Sequence, residues 1–568
     1  MNPTPIGSWD EITSGIGRIT IPSPHGNLTG LKPSQLRRLE HVYRRRVPDD
    51  AIISWELARF CTSLSHEIGR QVGVLINRRG AIEDVIVGND REVVLPDVSD
   101  YRRGRRSLRG LRLVHTHLRN EPLSQDDLTD LALLRLDLMA AVGVKADGQP
   151  GQLYAANILP PNPAGKPYEV WKPVALQECD VHLGQFLGAL EEELSRTRPA
   201  HLVNDSQEQA ILISVSRQSV ADQEESLAEL ADLARSAGLV VLDTIVQRPQ
   251  AVHSKYLLGS GKLKEVVIKA LQHGVDFLVF DQNLTPAQAT AIAAVTELKV
   301  IDRTQLILDI FSRRAHSREG KIQVELAQLR YLLPRLTGHG TAMSRLAGGI
   351  GGRGPGETKL EVDRRRVRDR ISHLERQIEV MARNRAQQRA RRLRRDVPII
   401  SIVGYTNAGK STLLNILTHS QVTAQDRLFD TLDTASRRLR FPEEREAIVT
   451  DTVGFIRNLP AELMGAFRAT LEELHDADLL LHVADLSSSI LERQVAVVEG
   501  ILRELGLDRV PRVLALNKAD RIDPALASVL STRLDGIAVS ALRPDTLIPL
   551  LEAIEKRLWR LTQAGIPC

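Results

Sequence analysis

V-P-I-I-S-I-V-G-Y-T-N-A-G-K-S-T, Val397 to Thr412, decides the fold of the C-terminal third of the chain. A short apolar run passes directly into glycine, four residues, glycine, lysine and serine. That order is a buried strand, a phosphate-cradling loop and a helix N-terminus. Glycines let backbone N–H groups face an anion where a helix begins. Gly404, Tyr405, Thr406, Asn407, Ala408 and Gly409 form the loop. Lys410 reaches the β and γ phosphates of a bound nucleotide, and the Ser411 hydroxyl is placed to hold magnesium.

Working outward, E-A-I-V-T-D-T, D-L-L-L-H-V-A-D, R-V-L-A-L-N-K and G-I-A-V-S-A read as further strands separated by helical stretches. Strand and helix in alternation predict a doubly wound α/β domain over residues 397–568. Three segments at strand ends supply the rest of a guanine nucleotide site. Asp451, Thr452, Val453 and Gly454 form D-T-V-G, with a carboxylate near the metal and a glycine N–H at the γ-phosphate. Asn517, Lys518, Ala519 and Asp520 form N-K-A-D. The Asp520 carboxylate can accept from N1–H and the 2-amino group of guanine, which adenine does not offer, and a site built on such bonds rejects the wrong base strongly. Ser540, Ala541 and Leu542 follow the next strand and close over the base. Four motifs in order, each at a strand end, specify GTP. In L-F-D-T-L-D-T, between the loop and D-T-V-G, Thr431 and Thr434 both have the spacing to complete the magnesium shell.

Ras-like switches carry a glutamine just after this glycine to orient the attacking water. Here Phe455 follows Gly454, and its ring offers no donor or acceptor.

The 568 residues are too many for one core and predict three or four domains. Hydrophobic content of 42% with 26% charged residues is ordinary for a globular protein, and no apolar run is long enough to span a bilayer. The first residues lack the basic-then-apolar pattern of a leader. Cys61, Cys179 and Cys568 are far apart, which argues against a disulfide framework and for a cytoplasmic location. Net charge is only +4, yet Lys359–Arg395 holds 14 Lys/Arg against 5 Asp/Glu. Such a strip suits either an RNA backbone or a solvated, salt-bridged helix face.

Upstream, A-I-L-I-S-V-S, V-V-L-D-T-I-V and D-F-L-V-F-D alternate with helical stretches and predict a small parallel α/β domain over 205–320. Residues 321–396 read as two long polar helices flanking a glycine-rich hairpin, Gly348 to Thr358. Within the parallel domain, G-S-G-K (Gly259–Lys262) imitates a second phosphate loop. Tyr256 stands where its first glycine belongs and Leu263 where the metal hydroxyl belongs, so a glycine turn opening a helix is expected.

Residues 1–175 read as an extra α+β domain. A hairpin is expected over Gln71–Gly88, a strand over L-R-L-V-H-T-H, a helix capped by Ser124, and a loop or weak boundary over Gly148–Lys166. Two alternate histidines on a strand, His115 and His117, face one way, and an acidic residue opening the next helix can supply a third ligand with an open fourth position.

Several segments together resemble the HflX GTPases of the translation-factor-related superclass. These are F-D-T-L-D-T, D-T-V-G-F-I-R-N-L-P, G-G-I-G-G-R-G-P-G-E-T-K-L-E-V-D-R-R, I-D-R-T-Q-L-I-L-D-I-F and K-I-Q-V-E-L-A-Q-L-R, and the resemblance runs from about Gln209 to the C-terminus. It implies that Thr431 is the magnesium threonine and that Phe429, Asp430, Thr431, Leu432 and Asp433 line the nucleotide. It makes Lys410, Thr431 and Gly454 the groups acting on the reacting phosphate, and Ser411 with Thr431 the protein ligands of Mg2+. It further implies binding, as a monomer, to the large ribosomal subunit and its RNA, separation or rescue of stalled ribosomes, and a glycine-rich hairpin reaching toward the peptidyl-transferase centre. Members resemble GTPases with a hydrophobic residue in place of the glutamine, so ribosome-free hydrolysis is expected on the order of 10⁻⁴ to 10⁻² per second. Short members lack a segment like Met1–Pro173. That segment resembles JAMM/MPN domains, with Glu67, His115, His117, Ser124 and Asp127 in the matching positions. It departs in having Leu118 for the expected proline and an interval from His117 to Ser124 one residue short. Two rival functions follow, a GTP-regulated zinc metallopeptidase and a GTP-controlled RNA-binding scaffold.

Overall fold

Alternation of apolar residues along Gln71–Gly88 closes the expected hairpin in the computed structural model. That model describes residues 22–98, 101, 108–196, 207–315, 317–336, 359–392, 397–418, 435–441, 445–451, 454–457 and 472–563. The chain separates into two units: Met1–Asp205 with Ser260–Val275, and Ser206–Gly259 with Asp276–Cys568.

In the first unit the strands are β1 (His25–Gly26), β2 (Val72–Asn77), β3 (Ile82–Val87), β4 (Leu111–His117), β5 (Leu138–Val144), β6 (Pro150–Ile158), β7 (Tyr168–Val170) and β8 (Val174–Ala175). They form one mixed sheet in the order β1-β3-β2-β4-β5-β6-β7, with β8 also on β6. β4 lies inside, antiparallel to β2 and parallel to β5. The helix Trp55–Ile68, capped by the Ser54 hydroxyl and ended by Gly69 at φ 65°, buries Leu57, Ala58, Cys61 and Leu64 in the core of this unit. Two expectations need correction. Gly148–Lys166 is no boundary between the units: β6 runs through it from Pro150 to Ile158, with Pro150 at the strand's first position, where a missing N–H is tolerated. The domain does not stop at 175 either. The helix Leu183–Arg196 seats Leu183, Leu187 and Leu190 in the same core, an i, i+4, i+7 stripe.

The helix Ser260–His273 also groups with this unit, its Leu271 carbonyl accepting from Arg135 Nη1 at 2.8 Å. G-S-G-K is its opening turn. Leu263 is buried and Lys262 pairs with Glu265 on the surface, so the segment is a helix start and not a phosphate loop.

The second unit carries two sheets. β9 (Gln209–Val215), β10 (Val240–Gln247), β11 (Phe277–Phe280) and β12 (Lys299–Asp302) are all parallel, in the order β10-β9-β11-β12. The four-residue β12 was not anticipated, being too short for a periodic signal. The helices Val220–Ser236, Arg303–Arg314 and Arg318–Leu332 follow, then Lys359–Arg392. In the last, Val367, Ile371, Leu374, Ile378 and Met381 recur every three or four residues and pack with Ile322 and Leu326. Arg365, Arg366, Arg368 and Arg376 lie exposed. The glycine-rich hairpin, Gly348–Thr358, lies outside the described residues.

β13 (Ile399–Gly404), β14 (Ala435–Arg440), β15 (Glu446–Asp451), β16 (Leu479–Asp485), β17 (Arg512–Asn517) and β18 (Ile537–Ala538) build the second sheet, ordered β14-β15-β13-β16-β17-β18. All pairs are parallel except the edge strand β14 on β15. The strand order reverses about β13, and the loop that leaves it opens at the carboxyl edge where nucleotides bind in such sheets. Among the described residues no helix is long and apolar enough to cross a membrane.

Candidate functional site

The loop after β13 is held from both sides. Gly409 has φ +87°, and a Cβ there would stand 2.3 Å from Asn517 Nδ2, so only glycine admits this approach. Asn517 Nδ2 donates to the Ala408 carbonyl at 2.9 Å, and Lys518 Nζ donates to the Asn407 carbonyl at 2.8 Å. Asn517 and Lys518 of N-K-A-D therefore brace the phosphate loop. Ala541 N–H closes the arrangement by donating to Asn517 Oδ1 at 3.0 Å.

Asp520 stands at the surface with Ser540 Oγ donating to Oδ1 at 2.5 Å, a bond that keeps its carboxyl below the usual range and ionised. Its remaining lone pairs can meet the guanine N–H groups. Leu542 is exposed. Asp520→Asn is expected to weaken GTP about ten- to a hundredfold, since bonds to a charged acceptor are worth about 1.5–3 kcal/mol. It should favour xanthosine triphosphate, whose 2-carbonyl accepts from the new amide. Competition binding with the two nucleotides checks this; unchanged preference would remove Asp520 from the base site.

Lys410 is buried, and its Nζ donates to the Tyr405 carbonyl at 2.9 Å. Burial pushes its ammonium down to about 8, opposed by the Asp451 carboxylate, and phosphate charge would favour the ammonium further. Gly454 lies against this lysine: a Cβ there would come within 2.9 Å of Lys410 Nζ and 2.8 Å of Thr406 Cγ2. Ser411 Oγ donates to Asp451 Oδ2 at 2.8 Å, and Asp451 is fully buried. That bond fixes the Ser411 hydroxyl, a hard oxygen of the kind magnesium takes, beside a buried carboxylate.

Phe455 answers the question its sequence position raised. Its N–H donates to the Gly404 carbonyl at 3.1 Å and its carbonyl accepts from Thr406 N–H at 2.8 Å, so its backbone is stitched to the phosphate loop. The ring is only 2% exposed. It joins a hydrophobic cluster with Val403, Leu480 and Val498 of this domain and Leu227, Leu230 and Leu306 of the preceding one. This side chain is a packing element.

Beside it lies a polar link that sequence reading missed. Tyr405 Oη donates to Glu229 Oε1 at 2.5 Å and accepts from Arg457 N–H at 2.8 Å. Arg303 joins Glu229 at 2.5 Å and Asp281 at 2.9 Å. Arg493 pairs with Asp222 and Glu225 on the same helix, Val220–Ser236. No periodicity marks residues 176 positions apart as partners. Asp485, which pairs with Lys518 Nζ at 2.8 Å, was also overlooked, although it ends β16 at the same sheet edge. Phe429, Asp430, Thr431, Leu432, Asp433, Thr452 and Val453 lie outside the described residues.

In the first unit, Ser124 caps the helix Gln125–Leu134 as expected, and His115, His117 and Asp127 come together. Glu67 does not join them. Its carboxylate is bound by Gln35 Nε2 and Arg38, which satisfy it elsewhere.

Three family models match in succession: GTP-binding GTPase N-terminal over 224–312, GTP-binding GTPase Middle Region over 314–392, and 50S ribosome-binding GTPase over 399–518. A GTPase HflX of Caldanaerobacter subterraneus subsp. tengcongensis is 45% identical over 378 residues, 66% of this chain and 85% of that protein. The chain belongs to the HflX GTPase family. The GTPase HflX of Escherichia coli K12 is 42% identical over 357 residues, 62% of this chain and 84% of that protein. A GTP-binding protein from Sulfolobus solfataricus, solved with GDP, is 26% identical, with coverage of 62% and 100% and a TM-score of 0.35. As an HflX GTPase, this chain binds GTP and hydrolyses it to GDP and phosphate through its P-loop domain.

Proposed function

We propose that this HflX-family GTPase works in the cytoplasm on the large ribosomal subunit, binding as a monomer and splitting or rescuing stalled ribosomes as it hydrolyses GTP. The observation that carries the reading is the helix Lys359–Arg392, which packs an apolar stripe against Ile322 and Leu326 and leaves arginines exposed. An RNA backbone rewards such a face through counterion release. The match of residues 399–518 to a model described as a 50S ribosome-binding GTPase supports the same partner.

Ser411 and Thr431 would hold Mg2+, with Asp451 fixing the Ser411 hydroxyl. When bound, the ion neutralises charge on the phosphate oxygens. Lys410 binds the β and γ phosphates, and Gly454 leaves room for its N–H to meet the γ-phosphate. Any shift of Gly454 also moves Phe455 and Arg457, and these touch Tyr405 and through it Glu229. Nucleotide state thus reaches the helix Val220–Ser236. Ordering of the segment after Gly454 by the ribosome supplies what a glutamine supplies in Ras-like switches.

The test is steady-state phosphate release with and without purified large subunits. A rise of orders of magnitude with subunits is expected, up to the about 10³–10⁵ that a partner's contribution can reach in GTPases. No response with tight GTP binding intact would favour a scaffold role for the nucleotide.

A further inference from the structure

Where a Ras-like switch carries the glutamine that orients the attacking water, this chain has the buried ring of Phe455. Hydrolysis still profits from a group beside the γ-phosphate that accepts a hydrogen bond from that water. Most polar side chains of the phosphate loop and its neighbours are committed. Lys410 Nζ can only donate, and it is bonded to the Tyr405 carbonyl. Tyr405 Oη is shared between Glu229 and Arg457 N–H. Ser411 Oγ donates to Asp451.

Thr406 differs. The residue is 7% exposed, and its Oγ1 is buried with no hydrogen-bond partner among the described residues. Buried hydroxyls are ordinarily paired, so an orphan of this kind calls for a partner outside the chain. The backbone fixes where it stands. Thr406 N–H donates to the Phe455 carbonyl at 2.8 Å, next to the bridge that pairs Tyr405 with Phe455. The side chain faces Gly454. A Cβ built on that glycine would stand 2.8 Å from Thr406 Cγ2 and 2.9 Å from Lys410 Nζ. The threonine branch, the glycine and the phosphate-binding ammonium therefore border one space. Oγ1 and Cγ2 leave the same Cβ, and a χ1 rotation exchanges their positions.

We propose that Thr406 is a catalytic residue of GTP hydrolysis, its Oγ1 accepting a hydrogen bond from the attacking water in place of the missing glutamine. A hydroxyl has the acceptor that Phe455 lacks, and its own hydrogen can donate to a γ-phosphate oxygen. The water oxygen bonds the γ-phosphorus while the bond to the β–γ bridging oxygen breaks, and GDP leaves with that electron pair. Both water hydrogens depart with inorganic phosphate, so the threonine is unchanged after each turnover. The inference rests on GTP hydrolysis and deepens the reading above. The segment after Gly454 is bonded to Thr406 N–H through Phe455, so ordering that segment also seats the hydroxyl.

Thr406→Val keeps the branched shape and deletes the hydroxyl. Single-turnover phosphate release by the full-length variant, at saturating GTP without ribosomes, should fall at least about tenfold. GTP and GDP affinities should stay within about threefold of the parent. Thermal unfolding should not move down, because an unpaired buried hydroxyl has no bond to lose. Thr406→Ser restores a hydroxyl and should recover most of the lost rate. A parent rate in Thr406→Val, a loss confined to GTP affinity, or equal losses in the valine and serine variants would each overturn the proposal. Adding large subunits separates it from the ribosomal reading: a parent chain that ignores subunits counts against that partner and leaves the comparison of variants as it stands.

Discussion

Lys410→Ala is expected to lower GTP hydrolysis by about 10²–10³-fold, the cost of removing one preorganised donor to developing phosphate charge. The structure gives the reason for so large an effect. Lys410 is buried at the floor of the loop and bonds the Tyr405 carbonyl, so the side chain that would meet the phosphates also shapes the loop around them. Two other cations among the described residues are already paired. Lys518 Nζ is committed to Asn407 and Asp485, and Arg303 to Glu229 and Asp281. Single-turnover phosphate release at saturating GTP measures the loss. A variant within about threefold of the parent rate would mean that the lysine acts on binding alone, because equal ground- and transition-state contributions leave the chemical step unchanged.

Phe455→Gln should fail to create a faster enzyme and should destabilise the protein instead. A buried phenylalanine costs about 3–5 kcal/mol on truncation, and an amide in that position adds an unsatisfied polar group. The ring of Phe455 sits among Val403, Leu480, Leu227 and Leu230, so a glutamine side chain following its path would enter that cluster and not the phosphate site. A fall in the denaturation midpoint of the second unit, together with a ribosome-free rate no higher than the parent's, is the expected pair of results. A rate raised about tenfold at unchanged stability would show that the segment turns over to face the γ-phosphate and that the glutamine orients water there. Phe455→Leu, which keeps an apolar side chain, should restore most of the stability without changing the rate.

The strands that lead into the candidate nucleotide segments were legible because the signal is local. Gly404–Ser411, Asp451–Gly454 and Asn517–Asp520 each follow a strand whose apolar run marks it, and each needs residue types that no packing role demands in that order. The Ser124 cap and the hairpin of β2 and β3 were legible for the same reason, being decided within a few residues. Short elements were not. β12 and the edge strand β14 are held by neighbours along the sheet; β12 has too few positions for a period to show, and β14, Ala-Ser-Arg-Arg-Leu-Arg, has too few apolar residues.

Sequence alone determined the GTP site, the family segments, the basic strip and the pairing of His115 with His117 on one strand face, since each depends on spacing along the backbone. Tertiary structure alone decided where side chains spend their contacts. It removed Glu67 from the histidine cluster by binding it to Gln35 and Arg38, and it turned Phe455 into a packing residue. It also joined Tyr405 to Glu229, across 176 residues. The physical reason is common to all three: a carboxylate, a ring or a hydroxyl is satisfied by whichever partner folding brings within reach, and sequence separation does not limit which partner that is.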